Sequence, residues 1–318
     1  MSRIEIIRGL ESLKNKYENL VLTIGNFDGI HIGHQRILRK VVERAKALGG
    51  TSMAMSFEPH PIRVLTPERE FKLMTTTGEK TRIMESLGIE KLLLVNFTKE
   101  FAHLEPDEFV RKVLVEKLSP KEVIVGHNYA FGRGRKGTTA ILRRRGRRYG
   151  FGLTVVRQAK WNGKVVSSSR TRMKLEKGKV ADAAQLLGRP YVIEGTVIKG
   201  AGRGASLLGF PTANISTTNE LIPREGVYAV KVRVKGKLYD GVANIGTNPT
   251  FGNNRQSVEV FILDFHGEIL GQKVRLYFLD RLRDEHAFPR PEALKEAISK
   301  DIEEAKKVFK GKRKLNLI

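Results

Sequence analysis

The chain contains no cysteine, which excludes disulfides, thiolate zinc sites and cysteine nucleophiles. It has a single tryptophan, and aromatic residues make up only 7% of it. No apolar run approaches the ~20 residues needed to span a bilayer. The opening residues MSRIEIIRGL lack the hydrophobic stretch of a signal peptide, so a cytoplasmic protein is expected. Acidic residues are scarce: 34 Asp+Glu against 58 Lys+Arg give a formal charge of +24. Such an excess suits nucleic acid, an anionic membrane or anionic small substrates, and it can also serve solubility alone. Otherwise the composition, 40% hydrophobic and 29% charged, is that of a folded globular chain. At ~100–200 residues per domain, 318 residues suggest two domains.

Over the first ~185 residues, short apolar runs alternate with helical patterns, which predicts an α/β domain on a parallel sheet. Strands are expected at LVLTIGNF (20–27), TSMAMSF (51–57), LLLVNF (92–97), VIVG (123–126) and LTVVRQ (153–158). Helices are expected in HQRILRKVVERAKALGG, TGEKTRIMESLG and EPDEFVRKVLVEKL. The first carries Ile37, Leu38, Val41, Val42, Ala45 and Leu48 on one stripe and is ended by Gly49-Gly50. Beyond Leu187-Gly188 the period changes to two. In VYAVKVRVKG, Val230, Val232 and Val234 take one face, Lys231, Arg233 and Lys235 the other, and Gly236 supplies a turn. An antiparallel sheet closed into a small barrel removes its own edges. A helix at 291–310 presents Leu294, Ile298, Ile302, Ala305 and Phe309 on one face. The expected domains are therefore 1–187 and 188–318.

Four segments carry chemistry. GNFDGIHIGH (25–34) joins the first strand to the first long helix. Gly25, Gly29 and Gly33 allow close backbone approach at a helix N-terminus, and His31 and His34 would face one anion. Paired imidazoles suit charge developing on a phosphate, whereas the plainer reading makes them helix caps. Ser167-Ser168-Ser169-Arg170-Thr171-Arg172 forms a second candidate anion cradle before a helix, or a solvated cap. VIKGAGRGASLLGFPTANI (197–215) combines a loop bearing Gly200, Gly202, Gly204 and Gly209 with Pro211-Thr212-Ala213-Asn214. Thr212 and Asn214, two apart in an extended segment, share a face and could reach one Mg²⁺. This is not a Walker A loop, since no G-K-[ST] is present. Glu259 alternates onto the face of Phe261, Leu263 and Phe265, as a general base or as a solvated strand-end carboxylate.

The run GNFDGIHIGH, SFEPHP (56–61), VGHNYAFG (125–132), VVSSSRTR and LLGRPY resembles the HxGH nucleotidylyltransferases, and within them the adenylyltransferase module of prokaryotic bifunctional FAD synthetases. The segments G-x-x-x-G-x-x-L-G-F-P-T-A-N, GVYAVKV, VANIGTNPTF and VEVFILDF…LGQKVRLYFLDRLRDEHAF look like the riboflavin kinase domain of the same proteins. The resemblance runs from Val21 to about Phe288. Two motifs depart from it: Asn128 stands where aspartate is common, and Ser169 and Thr171 where Thr and Ile are usual.

This resemblance implies a Rossmann-like α/β domain followed by a riboflavin kinase barrel with a C-terminal helix. It implies phosphorylation of riboflavin to FMN and adenylylation of FMN to FAD, with ATP as co-substrate and Mg²⁺ as cofactor. His31, His34 and Arg172 would stabilise charge during adenylyl transfer. Asn26, Phe27, Asp28, Pro59, His60, Gly126, Asn128, Phe131 and the three serines 167–169 would join Gly25 and Gly29 in binding nucleotide. Glu259 would be the kinase base, Thr212 and Asn214 the Mg²⁺-ATP ligands, and the four glycines with Pro211 the surrounding loop. A tRNA-directed enzyme would carry a KMSKS-like loop, and a nucleic-acid-binding barrel would interleave exposed aromatics with basic residues. No nucleic-acid or membrane partner is therefore expected, and a monomer is favoured. Eight basic residues and no acidic one between Arg133 and Arg148 leave room for an electrostatic funnel.

Overall fold

A computed structural model describes residues 3–13, 16–199, 211–247, 256–286, 288, 290–311 and 317. The chain divides into two compact units, 1–166 and 167–318.

The first unit is built on a six-stranded, all-parallel sheet. Its strands are β1 (Glu5–Arg8), β2 (Val21–Ile24), β3 (Ser52–Glu58), β4 (Lys91–Asn96), β5 (Glu122–Gly126) and β6 (Gly152–Val156), in the order β1-β4-β3-β2-β5-β6. Strands β2, β4 and β5 are almost wholly buried, which explains their uninterrupted apolar runs in place of an alternation. β1 was not expected: its segment EIIR buries only Ile7 and reads as charged surface. The first predicted strand stops at Ile24 because Phe27 and Ile30 adopt positive φ. Helix α1 (Ile32–Ala47) buries Leu38, Val41 and Ala45 and ends where Gly49 turns left-handed, as its glycine pair predicts. α2 (Pro61–Leu65) and α3 (Thr77–Ser86) follow β3. The helix expected at 105–118 is present but π-helical over Phe109–Leu118. α4 (Thr139–Tyr149) precedes β6 and lays Leu142 and Gly146 against the unit.

The strand order carries a functional consequence. β3, β4 and β1 lie on one side of β2, while β5 and β6 lie on the other. The chain reverses direction at β2, and the crevice beyond the carboxyl ends of β2 and β5 is where open α/β sheets bind ligands. GNFDGIHIGH leaves β2 at that end, and Gly126-His127-Asn128 leaves β5 there.

The second unit opens with α5 (Ser168–Glu176) and α6 (Val180–Leu187). These helices group with the barrel, although the change of periodicity at Leu187-Gly188 places them in the first domain, because α6 packs on the barrel's first and last strands, 191–198 and 273–283. A closed six-stranded antiparallel barrel follows: β7 (Tyr191–Ile198), β8 (Thr212–Thr217), β9 (Gly226–Val234), β10 (Lys237–Thr247), β11 (Gln256–Ile262) and β12 (Lys273–Arg283), ordered β7-β8-β11-β10-β9-β12. β12 pairs back to β7, so no edge is left open. Val230, Val232 and Val234 are buried together, and Lys235 and Gly236 both take positive φ in the two-residue turn. α7 (Pro291–Gly311) covers one flank, where Ala305 and Phe309 join Val227, Ala229, Val242, Leu263 and Leu279. No helix among the described residues is long and apolar enough to cross a membrane.

Candidate active sites

His31 is the N-cap of α1. Its Nδ1 accepts the backbone N–H of His34 at 3.2 Å, so a neutral His31 carries its proton on Nε2. The two rings are stacked, with centroids 3.8 Å apart and planes 15° from parallel. Phe27 meets the ring of His34 edge-on at 5.3 Å. Gly33 makes this cap possible, since a Cβ there would stand 3.1 Å from the His31 ring. Burial, reinforced by His31 and Lys80, holds His34 well below the usual histidine range. Its Nδ1 is buried without a hydrogen-bond partner, so protonation would create a buried, unpaired N–H. His34 is therefore held in its neutral form, with its proton on Nε2. The expected pair does converge at a helix N-terminus, where an anion is favoured.

The turn that delivers them is built from residues expected at the ligand. Phe27 is 1% exposed and Asp28 3% exposed. Asp28 accepts the backbone N–H groups of Met74 (2.9 Å) and Thr75 (3.3 Å), and Gly29 N–H donates to Thr75 Oγ1 at 3.2 Å. Their side chains thus hold the turn and do not line a surface. Gly25 has a parallel duty, because a Cβ there would meet the Phe27 ring at 3.2 Å. Phe131, 7% exposed, stacks on Tyr129 and packs in the unit's core against Phe109. Asn128 and Pro59 are exposed beyond β5 and β3. His60 caps α2 by accepting Ile62 N–H at 3.2 Å and stacks on Phe71. Asn26 offers its carbonyl to Ser56 Oγ and to the buried ammonium of Lys80. No motif in the sequence singles out Lys80, which lies within the helix expected at TGEKTRIMESLG.

In the second unit, Ser167 caps α5 by accepting Arg170 N–H at 3.3 Å, and Ser168, Ser169 and Arg172 lie in the helix it starts. Thr171 is fully buried, its hydroxyl donating to Ser167 O.

The barrel carries a second constellation. Register places Asn214 of β8 opposite Glu259 of β11, and Glu259 opposite Asn244 of β10. Residues paired in this way share a face, so the three side chains form one row. The next row is Thr212, Phe261 and Val242, on the flank that α7 covers. Burial raises the pKa of Glu259, with a further upward contribution from Glu285. Asn244 Nδ2 donates to Glu285 Oε1 at 3.2 Å, and its Oδ1 is buried without a partner. The Glu285 carboxylate also fills the space that a Cβ on Gly246 would need. Neither Asn244 nor Glu285 stands out in the sequence, although both fall within segments that resemble the riboflavin kinase domain. Gly200, Gly202, Gly204 and Gly209 lie outside the described residues, whereas Pro211 is exposed at the mouth of β8.

Comparison with known proteins follows the same division. Residues 13–170 match the FAD synthetase family model, and residues 187–309 match the riboflavin kinase model. A bifunctional riboflavin kinase/FMN adenylyltransferase of Bacillus subtilis is 37% identical, with 99% of this chain and all of that protein aligned. Its counterpart in Escherichia coli K12 is 36% identical over 96% of this chain and 98% of its own length. Among solved structures, a Streptococcus pneumoniae protein described as a macrolide-efflux protein superposes with a TM-score of 0.88. It shares 30% identity and covers 96% of this chain and 99% of its own.

Proposed function

The chain belongs to the bifunctional riboflavin kinase/FMN adenylyltransferases, and from that premise we propose how its residues divide the two reactions. By activity, residues 188–318 are assigned to riboflavin phosphorylation and 1–187 to FMN adenylylation. In the barrel, Glu259 accepts the proton of the riboflavin 5′-hydroxyl as that oxygen bonds to the γ-phosphorus of ATP. FMN forms and ADP leaves. A carboxyl raised by burial is better matched to a hydroxyl proton than an ordinary one. The oxygen donors here fit a hard cation. Thr212 and Asn214 share the Glu259 face, and Asn244 adds a buried acceptor with no partner. Thr212 and Asn214 would hold Mg²⁺, which when bound neutralises phosphate charge.

In adenylylation, an FMN phosphate oxygen bonds to the α-phosphorus of ATP, and pyrophosphate leaves with the electron pair. The nucleophile is already an anion, so no general base is required. His31 and His34 donate Nε2–H to the oxygens where charge accumulates, at a helix N-terminus that favours the same charge. Arg172 keeps the role that its motif implies, charge stabilisation in the same step. The enzyme is taken as a cytoplasmic monomer acting on small molecules.

The observation that carries this division is the Asn214–Glu259–Asn244 row in one unit and the stacked histidine cap in the other. Incubation with riboflavin and Mg-ATP, followed by chromatography, is expected to yield both FMN and FAD. Glu259→Ala should abolish riboflavin phosphorylation and leave adenylylation of supplied FMN intact. Wild-type kinase rates in that variant would remove Glu259 as the base.

A further inference from the structure

The turn between β2 and α1 is conformationally costly. Phe27, Gly29 and Ile30 all have positive φ, at 49°, 78° and 38°, and two of them are not glycine. It is held from outside by the segment 74–80, some fifty residues later. Met74 and Thr75 grip Asp28 and Gly29, and Lys80 grips Asn26. Lys80 lies in the second turn of α3 and is 9% exposed. Its Nζ donates to Asn26 O at 3.0 Å and to Ser56 Oγ at 3.2 Å, while Ser56 Oγ donates to Asn26 O at 3.1 Å. This closed triangle fastens the carboxyl ends of β2 and β3 together, directly before the histidine pair.

We propose that Lys80 is a positioning residue for adenylyl transfer, whose buried ammonium ties the end of β2 to the end of β3 and sets where the turn presents His31 and His34. The proposal rests on the reading of those histidines as the adenylyl-transfer pair. A neutral hydrogen-bonding residue could bridge two oxygens without the penalty of burying a cation. Burial does depress the Lys80 pKa, against the attraction of Asp28 and Glu58. The charge has a second effect that a neutral bridge would lack. The titratable groups acting on His34 are His31 and Lys80, with Asp28 and Glu58 next to the lysine. Lys80 is one of the groups that hold His34 in its neutral form.

The test uses the full chain, in which riboflavin phosphorylation by the barrel serves as an internal control. Lys80→Met should lower kcat for adenylylation of supplied FMN by about 10- to 100-fold, the range expected for an ångström-scale misplacement. KM for ATP should change far less. Removing the positive charge raises the pKa of His34, so the acid limb of the adenylylation profile should move to higher pH. Lys80→Arg should recover at least tenfold of the loss and return the limb to its place. Adenylylation within twofold of wild type in Lys80→Met overturns the proposal. So does a loss with an unmoved acid limb and no rescue by Arg, which would make the lysine a packing residue only.

Trp161, the sole tryptophan, lies in the first unit and reports on its folding by fluorescence. If Lys80→Met lacks that transition, Ser56→Ala carries the test. It removes one acceptor and keeps the charge, and should lower kcat about 3- to 10-fold with the acid limb fixed; a wild-type kcat overturns the clamp. His34→Gln separates the two layers of inference. It should cost 100- to 1000-fold in kcat. Wild-type adenylylation in His34→Gln defeats the histidine reading itself. A dead His34→Gln beside an unimpaired Lys80→Met defeats the lysine proposal alone.

Discussion

At the residue scale, the two sites use desolvation in opposite ways. His34, partly buried near Lys80, is held neutral, whereas Glu259, partly buried near a carboxylate, is held more basic. Glu285 supplies part of the upward push on Glu259. Replacing Glu285 with Gln removes a negative neighbour, which stabilises the ionised form of Glu259 and lowers its pKa. The acid limb of riboflavin phosphorylation, where Glu259 must lose its proton to act, should then move to lower pH. A pH–rate profile of kcat/KM for riboflavin checks this, and a limb that stays put or moves upward contradicts it. Gly33 shows how spacing can mislead at this scale. Its place in the motif suggests close approach of backbone to a ligand, yet the space beside it holds the ring of His31.

At the scale of elements, α7 is tied to the barrel by more than its apolar face. Arg283, at the end of β12, makes two hydrogen bonds to the carboxylate of Asp301, at 2.8 and 2.9 Å. Asp301 is nearly buried while Arg283 is about a quarter exposed. Breaking a fully buried pair by removing one partner costs about 3–5 kcal/mol, and partial exposure of the arginine reduces that. Asp301→Asn should therefore destabilise the second unit by about 1–3 kcal/mol. Urea unfolding followed by far-ultraviolet circular dichroism should show an earlier transition, with the Trp161 fluorescence transition unchanged. The elements themselves were largely legible. Periodicity located five of the six parallel strands, α1, the barrel strands on either side of Gly236, and α7. It failed at β1, a four-residue edge strand that buries only Ile7 and so shows no apolar run.

At the scale of the whole molecule, the charge of +24 is concentrated in part on α4. Arg143, Arg144, Arg147 and Arg148 are exposed there, while Arg145 pairs with Asp107. All the substrates are anionic or become so, and a field of this sign raises their local concentration and decays within about 8–10 Å at physiological salt. Raising salt should increase KM for ATP and FMN in adenylylation. Joint replacement of the four exposed arginines by Gln should flatten that dependence and leave kcat alone. A change in kcat with an intact salt dependence would argue that the helix has another task.

The sequence by itself determined the periodicities, and with them a parallel α/β domain followed by a closed antiparallel barrel. It also determined the local chemistry: a histidine pair three residues apart at a helix start, and a hydroxyl and carboxamide two apart on a strand. Such features depend only on the repeat of helix or strand, so neighbouring residues suffice to reveal them. The tertiary structure alone decided which distant residues complete each site. Strand order put the histidine turn at the reversal point of the sheet, and the 54-residue span from Asn26 to Lys80 closed only when α3 packed there. Barrel register set Asn244 beside Glu259, because closure fixes which residues stand opposite one another. Burial then set their ionisation, since the cost of a charge depends on the dielectric around it, which no local spacing encodes.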